Sequence, residues 1–170
     1  MFNTAATNHI PEGLLGKSRS APLLCWDIAH PMLPKRNQIA NDVDQIEQLQ
    51  TAHSWQHDLN FKKLLTTNYT LIITNVSREI IWTSSDFYEM TGYTMTEAVG
   101  KKPAFLQGEK TTERSKQLIR EKLGQFEKVT ARLINYRKDG EVYGCNITIH
   151  PLKNAKDEVT HFVAIEKEVD

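Results

Sequence analysis

Apolar residues over positions 37–66 recur with a helical period. Ile39, Val43, Ile46 and Leu49 are spaced four, three and three apart and share one face, while Asn, Asp, Gln and Glu fill the other. His53, Trp55 and His57 interrupt the pattern, and Asp58 is placed to cap a second helix over Leu59–Leu65. The stripe has two readings: it packs on a neighbouring sheet, or it forms a short coiled-coil dimer contact. After Asn68 the period changes. Leu71–Thr74 and Glu79–Thr83 are β-rich runs joined by Asn75-Val76-Ser77-Arg78, which predicts a hairpin. Two short helical patches follow over 84–107, with Gly92 and Gly100 as stops. Thr112–Leu123 is an amphipathic helix with Leu118, Ile119 and Leu123 expected inward, ended by Gly124. Three strands close the pattern: Lys128–Tyr136, Glu141–Leu152 and Val159–Glu168.

Two strands, a helical middle and three strands predict an α+β architecture, with an antiparallel sheet and helices gathered on one face. The chain of 170 residues divides into an irregular arm over 1–36, a helical extension over 37–68 and a globular domain over 69–170. The arm holds four of the six prolines, and its Leu23-Leu24-Cys25-Trp26-Asp27-Ile28 cluster is expected to pack on the domain or on a partner chain. Lys plus Arg and Asp plus Glu are equal at 21 each, so net charge gives no reason to expect a nucleic acid or an anionic membrane as partner. Cys25 and Cys145 are far apart and have no metal-type spacing. There is neither a signal-peptide pattern at the start nor an apolar run long enough to cross a bilayer, so a cytoplasmic protein is expected.

Four strings carry more specific information: Ile80–Tyr93, Gly100–Gly108, Leu133–Gly140 and Asn146–Leu152. In this order and spacing, the hundred or so residues from Leu71 to Val169 resemble a PAS sensor domain of the light-oxygen-voltage (LOV) type. The resemblance implies a five-stranded PAS fold and a pocket for flavin mononucleotide (FMN) between the sheet and the helical middle. On that resemblance Gln107 would contact the ribityl-phosphate tail. Arg120 would meet the phosphate, where a guanidinium fork suits a dianion. Asn135 and Asn146 would face the polar edge of the ring system, since an amide both donates and accepts.

The departures are as informative. Where LOV domains read Gly-x-Asn-Cys-Arg-Phe-Leu-Gln, this chain reads Gly100-Lys101-Lys102-Pro103-Ala104-Phe105-Leu106-Gln107. Pro103 replaces the photoreactive cysteine, and pyrrolidine has no nucleophile to bond to the flavin. Ala104 replaces a second phosphate-binding arginine. Lys102 stands in place of an asparagine near the ribityl chain, where it would supply the lost charge or simply lie on the surface. Glu166 replaces a last-strand glutamine; its carboxyl accepts only when ionised and donates only when protonated. Cys145, next to Asn146, is expected to point to the other sheet face.

Two functions follow. One is a sensor that holds FMN without cysteinyl chemistry, with Trp82, Tyr88, Tyr93 and Tyr143 as candidate electron donors. The other is a PAS domain with another ligand or none, acting as a dimerisation and interaction module. A haem version is disfavoured because Thr111–Gln125 contains no histidine, and His150 and His161 read as surface or structural residues. No P-loop, Gly-x-Ser-x-Gly, His-Glu-x-x-His or metal-spaced cluster points to an enzyme. Output is therefore expected through a homodimer or a downstream signalling partner.

Overall fold

The computed structural model describes residues 35–169, so the arm and its Leu23–Ile28 cluster lie outside the described residues apart from Lys35 and Arg36. Those two already belong to helix α1, Lys35–His53. Helix α2 is Phe61–Thr66, and its cap is Asn60 rather than Asp58: Lys63 N donates to Asn60 Oδ1 at 2.9 Å. Strands β1 (Thr70–Asn75) and β2 (Ile80–Thr83) form the expected hairpin. Helices α3 (Asp86–Thr91) and α4 (Met95–Ala98), a 3-10 turn at Pro103–Leu106 and helix α5 (Glu113–Gly124) make the helical middle. Strands β3 (Val129–Tyr136), β4 (Val142–Lys153) and β5 (Val159–Val169) complete an antiparallel sheet of order β2-β1-β5-β4-β3. Gly92 ends α3 with φ +74°, the left-handed cap that a glycine adopts without strain.

Alternation along the strands sorts side chains onto two faces. The inner face carries Ile72, Ile80, Leu133, Ile147, Ile149, Phe162 and Ala164, packed against Phe87, Ala98, Leu106 and Leu123 from the helical middle. The outer face carries Leu71, Ile73, Trp82, Leu152, Val163 and Ile165. Ile46 of α1, Trp55, and Phe61 and Leu65 of α2 cover it, with Ile39, Val43 and Leu49 packed at the margin. Helices therefore lie on both faces, and the α1 stripe is used within the chain.

Polar contacts fix α1 as well. Gln38 and Asp42 are buried alongside Ile46, although the expected apolar face omitted them. Asp42 accepts from Ser85 N at 2.8 Å and Ser85 Oγ at 2.9 Å, at the junction of β2 and α3. Burial pushes its carboxyl up to about 6 against the hydrogen bonds from Ser85, which favour the charged form. Trp82 Nε1 donates to Gln45 Oε1 at 2.6 Å. At the far end Trp55 Nε1 lies 3.2 Å from both His161 Nδ1 and Thr160 Oγ1, and His53 stacks against Trp55 and tilts onto His161. His161 is thus structural, held well below its ordinary range, at about 4, by burial and by His53.

Inward of the sheet, α5 differs from expectation at one position. Ile119 and Leu123 face the core, whereas Leu118 is exposed. Thr112 caps the helix by accepting from Ser115 N. The preceding loop is tied to β3: Gly108 N donates to Thr111 Oγ1 at 3.0 Å, and Thr111 Oγ1 donates to Ile134 O at 2.5 Å. A Cβ on Gly108 would collide with the Tyr136 ring, whose hydroxyl accepts from Lys110 N at 3.0 Å. Gly108→Ala should therefore cost about 1–3 kcal/mol of stability, read as a shift in urea midpoint with unchanged slope.

Candidate functional site

Between the inner face of the sheet and the helical middle lies a cavity of about 290 Å³. Leu133, Ile147, Ile149, Phe162 and Ala164 form its sheet wall, and Leu106, Ile119 and Leu123 face them. The strands place small and branched apolar groups there because every second residue must face inward. Such walls suit a flat apolar body.

The polar groups divide into two sets. At the exposed side Arg78, Lys102, Lys116 and Arg120 line the mouth together with Gln107. Lys116 pairs with Glu113 at 2.9 Å. Arg78, Lys102 and Arg120 form no salt bridge among the described residues, although Glu113 is near enough to Arg120 to be felt electrostatically. Four cations around an opening, with one carboxylate against them, give the mouth a positive potential that attracts anions. Arg78 was not anticipated, because the β1–β2 turn reaches the mouth only in the folded chain. Pro103 and Ala104 line the same side and offer neither charge nor nucleophile.

The second set is buried. Asn135 and Glu166 both line the cavity, and Oδ1 of Asn135 has no hydrogen-bond partner among the described residues. Glu166 is 2% exposed and has one side-chain partner among the described residues, Cys145, whose Sγ donates to Oε2 at 3.6 Å. Among the described residues no cation pairs with Glu166. Burial raises its carboxyl to about 7, and the Cys145 hydrogen bond offsets little of that. Burial, with Glu166 beside it, pushes the Cys145 thiol up as well, so it is not a thiolate. Tyr143 packs with Cys145 and Met90, stands opposite Asn135 in the β3–β4 ladder, and has a hydroxyl with no hydrogen-bond partner within range among the described residues. The Asn135 Oδ1, which lines the cavity, carries a desolvation cost that a ligand can remove.

Of the six expected site residues the structure brings five to this cavity: Lys102, Gln107, Arg120, Asn135 and Glu166. Asn146 is not among them. It is exposed on the outer side of the sheet, beside Tyr69, Thr130, Arg132, Thr148 and Lys167. The expectation for this pair is reversed: Cys145 turns to the inner face and Asn146 away. The signal was in the sequence, since Tyr143, Cys145, Ile147 and Ile149 alternate with polar residues and place odd positions inward. The aromatic candidates separate too. Trp82 is on the outer face and Tyr88 is partly exposed, whereas Tyr93 sits edge-on to Phe105 and Tyr143 is buried.

A sheet of order β2-β1-β5-β4-β3 with short helices over its inner face, enclosing a cavity with polar groups at both ends, is the arrangement of a sensory domain. Residues 68–169 match the PAS domain family model, and the chain belongs to that family. Phototropin-1A of rice (Oryza sativa subsp. japonica) is 34% identical over 96 residues, covering 56% of this chain and 10% of that protein. The blue-light photoreceptor of Listeria innocua is 33% identical over 115 residues, covering 66% of this chain and 45% of that protein. The chain thus spans a tenth of the one relative and under half of the other. Among solved structures, a light-oxygen-voltage domain studied with a flavin analogue superposes with a TM-score of 0.62 at 29% identity, covering 65% of this chain and 84% of that one. The PAS domain of the fruit-fly ELK potassium channel superposes with a TM-score of 0.58 at 30% identity, covering 61% and 88%. The chain is a PAS sensory module homologous to light-oxygen-voltage domains.

Proposed function

We propose that the chain binds FMN in this cavity, without a thiol bond to the ring, and passes the state of the site to its N-terminal helices. The observation that carries the reading is the arrangement of the cavity itself. Cations at the mouth suit a phosphate, apolar walls suit an aromatic ring system, and Asn135 with Glu166 suits a ring edge bearing donors and acceptors. The residues fit the group: the unpartnered Oδ1 of Asn135 calls for a donor, and Arg78, Lys102 and Arg120, in no salt bridge among the described residues, suit an anion. Arg78 and Lys116 would make up for the arginine that Ala104 replaces. When bound, the flavin supplies visible-light absorption and one-electron redox chemistry. Pro103 has no sulfur to bond to it, and Tyr93 and Tyr143 are the aromatic donors on the cavity's side of the sheet.

Output through α1 follows from the Asp42–Ser85 contact, which joins the extension to the start of α3. The partner is proposed to be a second copy or a downstream signalling protein, in the cytoplasm, with no chemistry catalysed by the domain. The outer face is already occupied by α1 and α2, so a homodimer would use α1's polar side or the open β3–β4 half of that face.

The absorption spectrum of the purified protein tests the reading. A flavin band in the blue is expected, and a colourless protein that also fails to take up added FMN would exclude it. Arg78→Ala and Arg120→Ala should each weaken FMN by about tenfold, equivalent to ~1.4 kcal/mol, and leave riboflavin, which lacks the phosphate, unchanged. Pro103→Cys in a flavin-loaded protein should bleach reversibly under blue light, and absence of bleaching would place the ring elsewhere.

One observation favours a second reading. The likeness to the ELK channel PAS domain is comparable to the likeness to light-oxygen-voltage domains. A PAS domain that works through protein contacts, with another ligand or none, is then the alternative, and the uptake experiment separates the two.

A further inference from the structure

The buried end of the cavity holds a carboxyl where an amide would be simpler to accommodate. Glu166 is surrounded by neutral groups: Cys145 and Tyr143 from β4, Asn135 from β3, and Thr70 as its ladder partner on β1. The charged groups on the elements around it are placed elsewhere. Arg78, Lys102, Lys116 and Arg120 are at the mouth, and Arg137, which stacks over the Tyr143 ring at 4.6 Å, is neutralised by Glu141 and Glu168. On its own strand Lys167 points to the other face, over the Tyr69 ring. A carboxylate removed from water without a cation is costly, and the neutral acid is the cheaper form. As an acid it has one proton to donate, with the cavity in front of it. Asn135 Oδ1, also lining the cavity and unpartnered, can only accept.

We infer that Glu166 enters the ligand complex as a neutral carboxyl that donates to an acceptor on the ligand's ring edge, while Asn135 Oδ1 accepts from a neighbouring ligand N–H. This inference rests on the proposed flavin reading and adds a regulation to it: occupancy of the cavity is coupled to proton uptake. The site takes a heteroaromatic edge on which a bare acceptor and an N–H alternate. When Glu166 ionises, two acceptors lie opposed and the donor is lost, so the ligand is held less well as pH rises. The module would then report proton activity through ligand occupancy.

Riboflavin is the probe, because it lacks the phosphate whose own ionisation near neutral pH would add a second dependence. Its dissociation constant is measured from pH 6 to 8.5 for the wild type and for Glu166→Gln, which keeps a donor without an ionisable proton. The wild type is expected to weaken as pH rises, approaching about tenfold per unit above neutral, the limit for one linked proton. Glu166→Gln is expected to bind with no such slope. Infrared difference spectra on riboflavin binding should show the carbonyl stretch of a protonated carboxyl, absent from Glu166→Gln. Affinity that is flat or rises with pH, or a slope retained in Glu166→Gln, would overturn the inference while leaving flavin binding intact. If neither riboflavin nor FMN binds at any pH, the flavin reading fails and this one with it.

Discussion

Trp55→Ala should cost about 3–5 kcal/mol of folding stability, the upper range for truncating a buried aromatic. Trp55 is among the largest fully buried side chains and joins the α1–α2 link to β5. Its removal takes away the indole area, the contacts from Nε1 to Thr160 and His161, and the surface on which His53 stacks. A protein whose total stability is of the order of 5–15 kcal/mol retains little after such a loss. Urea unfolding measures it, with hydrogen exchange at α1 amides as the local readout. A loss near ~1 kcal/mol with α1 still protected would mean that the link is not what holds the extension down. The same packing makes deletion of residues 1–58 a harsh change. It strips Ile46 and Trp55 from Leu71, Ile73, Val163 and Ile165, and the truncated chain is expected to associate through that bared face.

The second large effect is a dependence of stability on pH. Asp42 and Glu166 both have carboxyls raised by burial, to about 6 and about 7. A group whose native pKa is raised binds its proton more tightly when folded. Stability is therefore greatest below the unfolded value, near 4, and falls as pH rises until the native group has also ionised. The share of the unfolding free energy contributed by these two carboxyls should decline between about pH 4 and pH 8, by roughly 3 kcal/mol each as an upper figure. His161, lowered to about 4, adds stability as pH rises through the lower part of that window. Asp42→Asn isolates one share. The amide can still accept from Ser85 N and can donate to Ser85 Oγ, so both contacts survive. It should stabilise the protein by about 1–3 kcal/mol at pH 8 and have almost no effect at pH 4. Destabilisation at pH 8 would show that the ionised carboxylate is needed by Ser85.

The fold was legible in the sequence because the period changes so clearly. Tyr143–Ile149 alternates apolar and polar positions, and the short runs Leu71-Ile72-Ile73 and Phe162-Val163-Ala164-Ile165 are apolar throughout because helices cover both faces of β1 and β5. Gly92 and the Asn75–Arg78 turn supply the breaks. Less legible was what covers the outer face, since Ile39, Val43, Ile46 and Leu49 would serve a partner helix equally well. The burial of Gln38 and Asp42 settles that α1 docks in its own chain, and nothing local marks those polar residues for burial. Five site residues came from likeness to a family motif and lie at the cavity. Asn146 came from the same likeness and lies outside it, because strand parity overrides a motif misplaced by one residue. Arg78 could not be found locally, since a turn residue becomes a site residue only when its hairpin joins the sheet.

Strand β5 lies at the centre of the sheet, between β1 and β4, and is the last of its five strands to be made. The β1–β2 hairpin emerges from the ribosome long before its other neighbour exists, and its outer apolar side must wait. Helix α1 waits too, because Trp55 closes on His161, 106 residues later. Chains are made at roughly 5–20 residues per second, so that interval lasts about 5–20 seconds. During it the extension can lie only against β1 and β2, and the sheet is completed in one late insertion. The domain is then expected to gain its structure only once β5 has been made, rather than stepwise from the N-terminus. A ribosome-stalled chain ending before Val159 should remain open to protease along its whole length.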